Sequence, residues 1–99
     1  MLFGNKLREL REQNGFVLRK VAAVLDIDTA TLSKIELGDR QAKREYLPIL
    51  SELYGINLQE LEKLWLTDKV YSIIEKEEQG LNVLKEAAIC YKKSQKVYQ

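Results

Sequence analysis

The stretch Val21–Gly38, VAAVLDIDTATLSKIELG, decides how this chain folds. Leu18, Val21, Ala22 and Leu25 recur at i, i+3, i+4, i+7, the spacing of one buried helical face. This predicts a helix over residues 18–25. Asp26-Ile27-Asp28 then breaks the pattern, with Ile27 as an apolar anchor between two acids. Leu32, Ile35 and Glu36 mark the inward face of a second helix, over 29–37. Asp28 is its expected N-cap, and its carboxylate also favours the positive end of the helix dipole. Gly38 ends it. Two short helices joined by a tight turn therefore lie at the centre of the chain. The second presents Asp28, Thr29, Ala30, Ser33, Lys34 and Leu37 outward.

Working outward, no stretch alternates β-branched and polar residues as a strand does, so the chain reads as all-α. A first helix is expected over residues 5–13, capped by Asn5, with Leu7 and Leu10 inward and Asn14-Gly15 ending it. A fourth is expected over 43–54. Pro48 removes a helix-interior donor, so this helix alternatively begins near Tyr46 or Leu47, which places Pro48 in the tolerated first turn. Asn57, with Glu60 three residues on, caps a fifth that reaches towards Glu78 unless Thr67-Asp68 divides it. A last helix from about Leu81 puts Leu81, Leu84, Ala88 and Tyr91 at 3-4-3 spacing.

Composition excludes several chemistries. The 99 residues contain no histidine and one cysteine, Cys90. Histidine acid–base catalysis, histidine metal ligation and a cysteine-rich zinc site are thereby removed. No glycine-rich phosphate loop is present. Glu77 and Glu78 lie in the run EKEE, which reads as a solvated helix face. The expectation is a non-enzyme with neither cofactor nor metal. A lone cysteine forms no intrachain disulfide and fits a reducing cytoplasm. No apolar run approaches the ~20 residues that span a bilayer, and MLFGNKLREL does not read as a signal peptide. Net charge is only +1, but residues 1–46 hold nine Lys/Arg against seven Asp/Glu, and residues 47–90 hold four against eight. The basic surplus thus sits on the half that carries the helix pair, and again on Lys92, Lys93 and Lys96.

The central stretch resembles the Xre, or phage-repressor-like, family of helix-turn-helix regulators, whose pattern is LAxxLGVSxxTISxIExG. Val21, Ala22, Leu25, Ile27, Thr31, Leu32, Ser33, Ile35, Glu36 and Gly38 match, and the resemblance extends over about residues 5–66. It implies a lambda-repressor-like DNA-binding domain of five to six helices in all, with residues 1–66 holding DNA and 67–99 forming a helical extension for dimerisation. It implies that the second helix of the pair lies in the major groove of double-stranded DNA. Thr29, Ala30, Ser33 and Lys34 would then face base edges, Lys34 towards guanine and Thr29 and Ala30 towards thymine methyls. Arg40, Gln41, Lys43 and Arg44 occur where the family's loop passes the DNA backbone, and Arg19 and Lys20 are further backbone candidates. The resemblance also implies a structural ion pair between Arg11 and Glu36. One departure stands out. The family begins the first helix of the pair with Ser or Thr then Gln, a cap and a DNA contact, where this chain has Val17 and Leu18.

One recognition helix reads too few base pairs to find a single operator, so a homodimer on an inverted repeat is expected. Its interface is expected from Leu61, Leu64, Trp65, Val70, Tyr71, Ile74, Leu84, Ala88 and Tyr91, which equally fit an intrachain core. The tail LNVLKEAAICYKKSQKVY leaves a second class open: an antitoxin-like module that neutralises a partner enzyme through its C-terminal helix and autoregulates its operon.

Overall fold

The computed structural model describes residues 1–97. Among them lie six α-helices and no strand: α1 Leu2–Gln13, α2 Leu18–Leu25, α3 Thr29–Leu37, α4 Tyr46–Tyr54, α5 Leu58–Ile74 and α6 Gly80–Val97. The chain forms two compact units, the first Met1–Asp68 and the second beginning at Lys69.

The first unit has one apolar core. Phe3 and Leu7 of α1, Val21, Ala22 and Leu25 of α2, and Leu32 and Ile35 of α3 enter it. Ala42, Leu47, Leu50, Leu61 and Trp65 complete it from the loop after α3, α4 and α5. Burying a Leu, Val or Phe side chain stabilises by roughly 1.5–3 kcal/mol, so these residues supply most of the unit's cohesion. Ala22 is 2 % exposed, and α2 packs directly on α3.

Four helices end by wrapping the chain back on the last turn, and α2 does so without glycine. Asp26 takes φ +57°, ψ +45°. Its amide donates to the Ala23 carbonyl at 3.1 Å, and the next amide, Ile27, donates to Ala22 at 3.0 Å. This pair of hydrogen bonds is the Schellman closure, which usually takes glycine. Aspartate tolerates the left-handed region better than most residues, at some cost in strain.

Helix α1 differs from expectation. It begins at Leu2, not near Asn5, and its own first residues supply no side-chain cap. Asp68, at the far end of the unit, does so instead. One carboxylate oxygen accepts from the Leu2 amide at 3.1 Å and the other from the Phe3 amide at 2.9 Å. Thr67 and Asp68 therefore do not break α5, which runs unbroken to Ile74. It also ends short of Glu78. Pro48 is the third residue of α4, where its missing N–H has no helical partner to lose.

The extra turn brings Gly4 against α3. A methyl group at Gly4 would stand 2.5 Å from the carbonyl oxygens of both Ile35 and Glu36. Alanine gains about 1 kcal/mol of helix propensity over glycine. That gain cannot outweigh a clash with two rigid backbone carbonyls. Gly4→Ala is expected to destabilise the unit by about 1–3 kcal/mol net, read as a lower midpoint in urea unfolding. A midpoint at or above that of the native chain would show that α1 does not pack this closely.

Candidate nucleic-acid interface

Helix α3 is fixed at both ends and along one face. At its start, Asp28 Oδ1 accepts from the Thr31 amide at 2.6 Å. Thr31 holds the Asp28 carboxyl below the usual carboxylate range, and nearby Arg40 and Lys34 add to the effect. The loop residue Arg40 thus lies within electrostatic reach of the start of α3. At its end, Gly38 takes φ +85°, and the Asp39 amide turns back to the Lys34 carbonyl at 2.9 Å.

The fixed face centres on Glu36, only 5 % exposed. Arg11, from the last turn of α1, meets it with two parallel bonds, Nε to Oε2 at 2.9 Å and Nη2 to Oε1 at 3.1 Å. Arg11 Nη1 also donates to the Phe16 carbonyl at 3.0 Å. The hydrogen bond to Glu36 raises the already high pKa of Arg11, so the guanidinium stays charged. Tyr54 stacks on Phe16, and burial together with the Glu36 charge pushes its phenol up to about 12. A carboxylate this deep is tolerable only because a guanidinium occupies both its oxygens. Every donor Arg11 spends here is withheld from any external ligand.

The opposite face of α3 is open. Thr29, Ala30 and Lys34 are exposed and Ser33 is half-buried. At ~100° per residue these side chains spread over an arc of about 140°. Leu37, 62 % exposed, falls in the middle of that arc, between Ser33 and Ala30.

The loop from Gly38 to Glu45 carries Arg40, Gln41, Lys43 and Arg44, all exposed. Ala42 between them is buried in the core. Its carbonyl accepts from Trp65 Nε1 at 2.8 Å, so α5 pins the middle of the loop. Arg44 lies over the Trp65 ring, 5.4 Å from its centroid, and its Nη2 meets Glu62 Oε2 at 3.0 Å. On α2, Arg19 is exposed, and Lys20 Nζ sits 4.2 Å from the centre of the Phe16 ring. Val17 precedes α2 with 58 % of its surface exposed and caps nothing.

Of the residues expected at a subunit interface or in an intrachain core, four are wholly or partly buried. Leu61 is fully buried and Trp65 5 % exposed, both in the core of the first unit, with Leu64 packed against that core. Ile74 is 9 % exposed. Leu61 and Trp65 are thus covered within one chain, while Leu64 keeps part of its surface open. Val70, Tyr71, Leu84, Ala88 and Tyr91 are exposed.

A family of helix-turn-helix domains matches residues 2–64 of this chain. The chain belongs to the helix-turn-helix family. No curated protein and no solved structure matches it significantly. In a helix-turn-helix domain the second helix of the pair enters the major groove and the first crosses the backbone. Here α2 and α3 are that pair, and Asp26 to Asp28 the turn. Among the described residues no helix is long and apolar enough to cross a membrane, and no acidic or cysteine cluster has the makings of a metal site. The contributions of Trp65, Glu62 and Asp68 to this helix-turn-helix domain escape sequence reading. Each acts on a segment more than seventeen residues away, with no local pattern to mark it.

The buried ion pair can be tested directly. Arg11→Met is expected to cost about 3–5 kcal/mol in urea unfolding, because Glu36 is left charged and unpaired. Joining Glu36→Leu to it should recover much of that loss. A double variant as unstable as the two single losses added together would mean that the residues are not coupled.

Proposed function

We propose that this helix-turn-helix protein is a sequence-specific transcription regulator of the Xre type that binds an inverted-repeat operator as a homodimer. The observation that carries the reading is the division of α3. Glu36 and two apolar residues hold one face in the core, while Thr29, Ala30, Ser33 and Lys34 lie on the other. We assign these four to base edges: Lys34 to guanine O6 and N7, the Thr29 and Ala30 methyls to thymine, Ser33 as donor or acceptor. Arg19, Lys20, Arg40, Gln41, Lys43 and Arg44 are assigned to the phosphates, where they set register without carrying sequence information. In this reading residues 1–66 hold the operator, residues 67–99 join the subunits, and the protein is neither an enzyme nor dependent on a cofactor.

Support for the dimer comes from the second unit. Every residue of α6 from Leu81 to Gln95 is exposed, including Leu81, Val83, Leu84, Ile89 and Tyr91. So large an apolar surface is unusual for a soluble protein that works alone. Val70, Tyr71, Leu84, Ala88 and Tyr91 remain the interface assigned to a second copy. Light scattering on the native chain and on Leu84→Glu/Tyr91→Glu should give a dimer and a monomer respectively. A monomeric native chain, or a second polypeptide that co-purifies until the chain is cut at Gly80, would favour the antitoxin-like reading.

Footprinting on the DNA upstream of the protein's own gene is expected to protect one inverted repeat. Salt-sensitive binding without a protected site would sink the autoregulator. Lys34→Ala should relax preference at one base-pair position in each half-site. Arg44→Ala should weaken binding evenly across sequences and reduce the salt slope by about one. If the two variants behave alike, readers and positioners have been wrongly divided.

A further inference from the structure

Arg44 is held from two sides before any DNA arrives. Glu62 pairs with its Nη2 at 3.0 Å, and the Trp65 ring lies beneath its guanidinium. Both partners project from α5, one turn apart. Trp65 also bonds the Ala42 carbonyl. The loop backbone is therefore pinned independently of where the Arg44 head points. The Arg44 side chain is 60 % exposed and that of Glu62 29 %. A guanidinium in this setting can exchange one anion for another without disturbing the core.

We propose that Glu62 is an intramolecular competitor for DNA phosphate, holding Arg44 in the free protein and surrendering it when the backbone of a duplex arrives. The proposal rests on the reading of Arg44 as a phosphate contact. Its sign is the opposite of a merely structural role. If Glu62 only braced the loop, neutralising it would weaken DNA binding. If it competes, neutralising it strengthens binding, because Arg44 no longer has to leave an anion. An exposed ion pair is weak, so the effect is modest: about two- to fivefold in affinity. It is largest at low salt, where the pair is least screened.

The test uses the full-length protein and random-sequence duplex DNA, since phosphate contacts do not depend on sequence. Glu62→Gln keeps the shape and removes the charge. The expected result is about two- to fivefold tighter binding at low ionic strength, a gain that shrinks as salt rises. In an Arg44→Ala background the same change should do nothing. Equal or weaker binding by Glu62→Gln, with its urea midpoint unchanged, would overturn the proposal. So would an equal gain with Arg44→Ala, which would mark a general loss of negative charge. If the native chain shows no salt-dependent binding to duplex DNA, the DNA-binding reading falls first and this one with it. Trp65→Phe is a second probe. It keeps a ring under Arg44 but loses the bond to Ala42, so it should lower affinity even where Glu62→Gln raises it.

Discussion

A buried charge that must be neutralised sets the geometry of the first unit. Glu36 lies on the inward face of α3, where an unpaired carboxylate would cost several kcal/mol. Arg11 answers it, donating to both of its oxygens. A bidentate pair is directional as well as strong, so it fixes the rotation of α3 about its own axis. Apolar contacts from Leu32 and Ile35 bury that face but tolerate some sliding. The third donor of Arg11, on the Phe16 carbonyl, ties in the loop that leads to α2. One side chain thus coordinates α1, the entry to α2 and the rotation of α3. Whatever α3 presents to solvent follows from it.

Helix α5 has a role that its apolar pattern conceals. Leu61 and Trp65 enter the core, Trp65 pins the loop after α3, Glu62 engages Arg44, and Asp68 closes the start of α1. The segment therefore supports both edges of the helix pair from outside it. Exposed apolar residues remain in both units: Val17, Leu37 and Leu66 in the first, Ile73, Leu81 and Tyr91 in the second.

Much of this was legible because it is local. Leu18, Val21, Ala22 and Leu25 at helical spacing, Asp28 before Thr31, and Gly38 after Leu37 each act within one or two turns. The ends of α2 and α3 follow from them. The start of α1 was not legible, since its cap stands at Asp68 and not at a neighbouring residue. Nor was Gly4 informative as punctuation: it sits inside a helix because two backbones approach there. The inward turn of Leu61 and Trp65 was undecided by pattern alone, as an apolar stripe looks the same whether a core or a second chain covers it. The outward side chains of α3 were readable as a set.

The carboxylate of Asp68 on the first amides of α1 has a bearing on how the protein is made. Synthesis delivers the first amides of α1 more than sixty residues before Asp68. Until α5 emerges from the ribosome, the nascent chain lacks the α1 cap and two core side chains, Leu61 and Trp65. A domain folds as a unit once its parts are present, and contacts between the two ends of a chain form slowly. The helix pair is thus translated early but stabilised late. A chain interrupted before α5 would expose an incomplete core to proteolysis, and only a polypeptide carried past Asp68 would have the carboxylate that closes α1.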